Sequence, residues 1–178
     1  MDEIPVFVYH PDPFATESLE ESDALCDACG RARGLVYSGA VYSRHPELRI
    51  CPWCIADGTA AAKFGATFSD TAPWVPVGIP RDVLEAIEQR TPGFESWQGG
   101  HWLFHCNDGA AFISRVGGEE LSAHPDALSM IRQECADSGW DAGQTEAYVG
   151  AMDADGEVTG YLFRCLHCGA HLAYSDFS

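Results

Sequence analysis

Two Cys-x-x-Cys pairs, Cys26/Cys29 and Cys51/Cys54, constrain the fold of this chain more than any other feature. A tetrahedral Zn²⁺ ion needs four soft ligands at about 2.3 Å, and each pair can aim two sulfurs at one point. The gap, residues 30–50, is slightly longer than the spacing of about 15–20 residues that is usual between such pairs. The pattern predicts a structural site of four thiolates. The alternatives are two disulfides or a redox motif, which needs only one pair and a βαβ context that this sequence lacks.

Local composition around the two pairs predicts a zinc-ribbon-like module over residues 1–66. Residues 35–42 are rich in β formers, so we expect a hairpin between the pairs, and residues 55–64 have helical composition. Residues 67–178 form an α+β region, either as a second module or as part of one compact domain with the first. The predicted fold class is therefore α+β.

Hydrophobic periodicity and the residues that begin or end helices and strands predict the remaining elements. Helices are expected at 79–90, 126–135 and 145–152, with a further one through 110–113 capped by Asn107 or Asp108. Strands are expected at 4–10, 160–164 and 170–174. Trp97 and the segment 102–104 read as buried aromatic loop and strand. His10, His45 and His124 are expected at the surface, and Cys135 in the core.

A third pair, Cys165/Cys168, has the same form as the first and lies between two predicted strands. A second metal would need two more ligands, and Cys106 is the predicted third ligand. The candidates for the fourth ligand are His105, His167, His171 and His101. Residues 105 and 106 would face opposite ways on a regular strand, so both can reach one ion only if the strand ends there. The alternative is a simple turn with free thiols.

Charge and cysteine usage restrict the class of partner. The net charge is −17, from 10 basic and 27 acidic side chains, which opposes the approach of phosphates. Four arginines near the first two pairs are the only candidate basic face there: Arg31, Arg33, Arg44 and Arg49. No apolar run is long enough to cross a membrane, and no secretory leader is visible. Eight cysteines without such a leader predict reduced thiols in the cytoplasm.

Five stretches resemble the CbrC family of bacterial proteins, for which no biochemical activity is established. They are FVYHPDP at 7–13, CDACG at 26–30, ICPWCIADG at 50–58, WLFHCND at 102–108 and YLFRCLHCG at 161–169. The resemblance implies a cytoplasmic protein with metal-binding cysteines. It also favours His105 as the fourth ligand beside Cys106, and it implies a link with colicin tolerance.

Three functions follow as hypotheses. The first is a zinc-stabilised binding or adaptor protein with an unidentified protein partner, because sites with four protein ligands leave no position open for a reaction. The second is a metal- or cysteine-dependent enzyme that uses His105, Cys106 and Asp108. The third is nucleic-acid recognition by the ribbon, which the net charge opposes. No P-loop, dinucleotide-binding turn, HExxH or Gly-x-Ser-x-Gly motif appears.

Overall fold

The computed structural model describes residues 3–45, 47–72 and 74–178. The strands are β1 (Leu19–Ser22), β2 (Gly34–Tyr37), β3 (Phe104–His105), β4 (Asp108–Gly109), β5 (Ala111–Val116), β6 (Val158–Arg164) and β7 (His171–Phe177). The helices are α1 (Pro52–Ala56), α2 (Thr59–Phe64), α3 (Arg81–Arg90), α4 (Gly118–Ser122), α5 (Pro125–Asp137) and α6 (Ala142–Ala151). Helices combined with small antiparallel sheets confirm the α+β class.

The largest sheet orders its strands β5-β6-β7, with both pairs antiparallel. Successive residues of a strand face opposite sides of a sheet, and β6 buries both sides. Leu162 belongs to the core with Ile131 of α5, whereas Tyr161 and Phe163 belong to an aromatic core. The sheet is therefore covered on both faces, and β6 is its centre.

The aromatic core contains Trp102, which is buried as predicted and donates its indole N–H to the carbonyl of Ala110 at 2.8 Å. Phe94 stacks on Phe112 with ring centroids 4.0 Å apart. Trp97 was expected to be buried, but 54% of it is exposed. Its indole N–H reaches the carbonyl of Gly156 at the protein surface, which explains how this residue lies outside the core.

The hairpin expected between the first two cysteine pairs is not formed. Strand β2 pairs instead with β1, which precedes the first pair, in a register that sets Leu19 opposite Tyr37. The β1 segment reads LEES, too polar to be predicted as a strand. It forms because Leu19 alone enters the core while the backbone of β2 supplies its hydrogen bonds.

Three further local predictions differ from the structure. Residues 4–10 do not form a strand. Pro5 has no N–H to donate, and the segment is joined to β5 by one backbone hydrogen bond, from Phe112 N–H to the Tyr9 carbonyl. Residues 110–113 do not form a helix; they belong largely to β5, because pairing with β6 overrides the local composition. Helix 55–64 is split at Gly58, whose φ of 78° ends regular helix.

The other elements agree with the sequence. The helices expected at 79–90, 126–135 and 145–152 correspond to α3, α5 and α6, and the two C-terminal strands to β6 and β7. Cys135 is a core residue of α5. No helix in the described ranges is long and apolar enough to span a membrane.

The division into 1–66 and 67–178 stays a prediction. Backbone bonds do cross that boundary, from Phe112 N–H to the Tyr9 carbonyl and from Tyr42 N–H to the Thr67 carbonyl. His10 also lies against the second part, with its ring 5.1 Å from Phe112. The prediction of a surface histidine at this position is wrong, since His10 is fully buried.

Candidate metal centres

The first pair lies in a tight loop. The Cys26 N–H donates to the Arg31 carbonyl at 2.9 Å, and the Gly30 N–H donates back to the Cys26 carbonyl at 2.7 Å. Gly30 has a φ of 71°, a conformation that glycine adopts without steric cost. The loop therefore turns both sulfurs of the pair toward one side.

The second pair lies at the start of a helix rather than in a second loop of the same kind. Cys51 immediately precedes α1, with Pro52 as its first residue, and Cys54 lies in the first turn. Ile50 and Ile55, on either side, are fully buried. This anchoring brings the Cys51 N–H to within 3.3 Å of the Cys26 sulfur.

The four sulfurs of the first cluster, Cys26, Cys29, Cys51 and Cys54, lie within 4.8 Å of one another. Four sulfurs around one zinc ion at about 2.3 Å would be about 3.8 Å apart. The Cys29 and Cys51 sulfurs are 4.0 Å apart, which fits. Three of the four residues are at most 3% exposed, so a metal here would lie inside the N-terminal core.

Positive charge and hydrogen bonds surround this cluster. Burial opposes ionisation of Cys26, but the backbone N–H groups of Cys51, Cys29 and Ala28 outweigh it and lower the pKa of its thiol. The Lys63 ammonium donates to the carbonyls of Asp27 and Ala28, inside the first pair. Such a cation offsets the excess negative charge that four thiolates would place around a divalent ion.

The second cluster begins in a hairpin formed by β3 and β4. His105 pairs with Asp108, and the two residues of the turn, Cys106 and Asn107, have φ values of 53° and 59°. Two positive φ values are typical of a type I′ hairpin turn. The strand thus ends at His105, which meets the condition under which both His105 and Cys106 can reach one ion.

The third pair repeats the loop of the first. The Cys165 N–H donates to the Ala170 carbonyl at 2.8 Å, and the Gly169 N–H donates to the Cys165 carbonyl at 3.2 Å. Gly169 has a φ of 74°, close to that of Gly30. Burial opposes ionisation of Cys165, but the N–H groups of Cys168 and His167 lower the pKa of its thiol to about 6.

The structure brings together His105, Cys106, Cys165 and Cys168, with ligand atoms within 4.8 Å of one another. The Nδ1 atom of His105 lies 3.3 Å from the Cys106 sulfur and 3.4 Å from the Cys168 sulfur. A nitrogen and a sulfur bound to one zinc ion would be about 3.6 Å apart. The other three candidate histidines lie elsewhere: His101 against Tyr174, His167 on Asp108 and His171 against His124.

Asp108 joins the hairpin to the third pair instead of entering the cluster. Its carboxylate accepts from the Tyr9 hydroxyl at 2.8 Å and from Nε2 of His167 at 2.7 Å. Burial alone would raise the pKa of Asp108, but these two bonds lower it. Sequence reasoning missed Tyr9 and His167 in this supporting position, because their partner is distant in the chain and no local pattern marks the contact.

Sequence comparison finds relatives that match this chain over nearly its whole length. A relative from Mycobacterium bovis is 47% identical over 177 residues, which cover 98% of this chain and 94% of that protein. A relative from Pseudomonas aeruginosa is 44% identical over 177 residues, which cover 98% of this chain and 98% of that protein. Both are described as UPF0167 proteins. No solved structure matches. The model of the uncharacterised protein family UPF0167 matches residues 4–177, and the chain therefore belongs to that family.

Proposed function

We propose that this protein binds two zinc ions, one in each cluster, and acts as a binding or adaptor protein rather than as an enzyme. The observation that carries the proposal is the convergence of two complete sets of four ligand atoms, drawn from distant parts of the chain. Thiolate and imidazole ligands in a tetrahedral set favour zinc over hard cations such as Mg²⁺ or Ca²⁺. Four thiolates can also hold iron, so the metal has to be identified directly.

The number of ligands favours a structural or binding role. Catalytic zinc sites have three protein ligands and keep one position for water or substrate, whereas each cluster here offers four. The enzyme hypothesis would use Asp108 beside His105 and Cys106, but both carboxylate oxygens already accept hydrogen bonds from Tyr9 and His167. In this proposal Asp108 positions the hairpin.

The wider setting rests on sequence resemblance. The CbrC motifs suggest a cytoplasmic protein with an association to colicin tolerance, and a protein partner is the expectation for an adaptor. Neither changes the metal chemistry, which depends only on the eight ligand residues.

The experiment that tests the proposal is a metal count on the full chain purified without added metal. We expect about two zinc ions per chain by elemental analysis, since there are two ligand sets. Cys106→Ser should lower the content by about one ion, because it removes a ligand from the second cluster only. Cys135→Ala is the matched control: this buried cysteine lies outside both clusters and should keep both ions.

Two results would contradict the proposal. One is a folded protein that contains iron or no metal after purification under reducing conditions. The other is full zinc content in Cys106→Ser. Water as the fourth ligand in the second cluster, beside three protein ligands and seen spectroscopically with cobalt in place of zinc, would instead favour the enzyme.

A further inference from the structure

We propose that the second cluster is an exchange site, from which zinc leaves and to which it returns much faster than at the first cluster. The proposal rests on the proposed function, because both clusters must bind zinc. It adds a division of roles: the first ion stabilises the fold, and the second is available to other ligands. The acceptors or donors of this ion would be molecules or proteins that present thiolate or imidazole groups.

Access to the metal differs sharply between the clusters. In the first, Cys26, Cys51 and Cys54 are 1%, 1% and 3% exposed and Cys29 is partly exposed, so an incoming ligand has little access to the ion. In the second, three of the four ligand residues are exposed, namely His105, Cys106 and Cys168. The shell around a metal controls solvent access. An external ligand can therefore approach the second ion without unfolding the core.

The hydrogen bonds that hold the ligands also differ. A histidine bound to a metal almost always donates its other ring N–H to a carboxylate, a backbone carbonyl or water, and loss of a protein partner there costs about 10–100-fold in metal affinity. His105 faces the thiols through Nδ1, and no residue of the described chain bonds to its Nε2. One sulfur in each cluster accepts a backbone N–H, Cys26 from Cys51 and Cys165 from His167. The loop of the first cluster is also held by Lys63, whose ammonium binds two of its carbonyls.

The elements that carry the ligands differ in size. His105 and Cys106 belong to a hairpin whose strands, β3 and β4, have two residues each. Such a hairpin has few backbone bonds of its own and can open locally at low free energy. Its opening would remove two of four ligands at once, while Cys165 and Cys168 stay in their loop.

The exchange involves no electron transfer. Incoming nitrogen or sulfur donors bond to the zinc ion one at a time, the first two as the bonds to His105 and Cys106 break and the next two as the bonds to Cys165 and Cys168 break. The ion keeps its 2+ charge throughout, and the released thiolates take up protons from water. The reverse sequence reloads the site.

The test is the rate of zinc release from the fully loaded chain to an excess of a chromogenic pyridylazo-resorcinol chelator, under reducing conditions at neutral pH. We expect two phases of one ion each, with rates separated by at least about tenfold. Cys106→Ser should lack the fast phase and keep the slow one, and Cys135→Ala should keep both. Alkylation of the loaded wild-type protein by iodoacetamide, followed by peptide mass spectrometry, should modify Cys106 and Cys168 before Cys26, Cys51 and Cys54.

The outcomes separate this inference from the proposed function. Two ions released in a single phase, or a fast phase that survives in Cys106→Ser, would overturn the exchange site and leave two-zinc binding intact. A chain that binds no zinc would remove both. The alkylation pattern gives an answer even if Cys106→Ser does not fold, because uniform modification of the five cysteines also overturns the inference.

Discussion

His10 is a neutral histidine held inside the protein. Its Nδ1 donates to the Pro92 carbonyl at 2.8 Å, its Nε2 lies 2.6 Å from the Thr16 hydroxyl, and its ring meets the edge of Phe112. Burial lowers the pKa of His10 from 6.5 to about 4, against opposing contributions from the Pro92 carbonyl and Asp12. The side chain joins an N-terminal segment to the second part of the chain, so its charge state affects stability.

The pH dependence follows from that shift. The unfolded chain binds a proton at His10 below about pH 6.5, whereas the folded chain binds one only below about pH 4. Stability from His10 is therefore complete above pH 6.5 and falls as the pH is lowered toward 4, by up to about 3 kcal/mol. Urea unfolding of wild type and His10→Gln at a series of pH values should show a flatter profile for the variant. Parallel profiles would mean that His10 is not buried in its neutral form.

Cys54 tests the first cluster at the same scale. Cys54→Ser removes one of the four ligands of the first cluster, of which three are buried. The binding free energy of a structural zinc ion, about 10–16 kcal/mol in zinc-finger peptides, contributes to folding. We expect loss of about one zinc ion and unfolding of the core that contains Phe7, Leu19 and Tyr37. Elemental analysis and thermal unfolding measure both effects, with Cys135→Ala as the control. An unchanged melting temperature would show that the first cluster is not structural.

At the scale of elements, the β3–β4 turn decides whether the second cluster can form. Asn107 has a φ of 59°, a left-handed conformation that asparagine tolerates and glycine adopts freely. Without this turn, Cys106 would point away from His105, as successive residues of a strand do. The turn is thus a local feature with a direct effect on metal binding.

A pair of substitutions at Asn107 tests this role. Asn107→Gly should keep zinc affinity at the second cluster, because the left-handed conformation stays accessible. Asn107→Val should cost about 1–2 kcal/mol at this φ, and the affinity should fall about tenfold. Competition with a chelator of known affinity measures both. Equal affinities in the two variants would show that the turn does not control the site.

At the scale of the whole molecule, charge determines which large partners can approach. The net charge of −17 gives a field that repels phosphates, although Arg31, Arg33, Arg44 and Arg49 are grouped near the first cluster. Part of that group is engaged: the Arg33 guanidinium lies over the Trp53 ring at 4.0 Å. Arg33 therefore packs on the N-terminal part, whereas the other three arginines are exposed.

We predict that the protein does not bind DNA or RNA at physiological salt. Affinity for nucleic acid depends mainly on basic groups that replace counterions, and its logarithm falls with the logarithm of the salt concentration. Fluorescence anisotropy with labelled single- and double-stranded oligonucleotides, at several salt concentrations, should show no saturable binding. A tight, salt-sensitive complex would contradict this and would make the four arginines the next targets for substitution.

The sequence by itself determined the features that depend on neighbours in the chain. Each Cys-x-x-Cys-Gly loop forms because a glycine with positive φ follows the second cysteine, at Gly30 and at Gly169. Helices α3 and α5 follow from apolar periodicity and breakers, and α6 begins at a capping box formed by Asp141 and Gln144. His105 and Cys106 could be identified as candidate ligands from the sequence because they are adjacent, and the resemblance to CbrC proteins favoured this pair.

Tertiary structure determined the strands and contacts that depend on pairing between distant parts of the chain. β1 is a strand because β2 supplies its backbone partners, and residues 111–116 are a strand because β6 pairs with them, although local composition favours other conformations. The support of the second cluster by Tyr9, Asp108 and His167 joins residues 59 and 99 positions apart. Burial is likewise a property of the folded chain: it separates the enclosed first cluster from the exposed second one, although both begin as the same short motif.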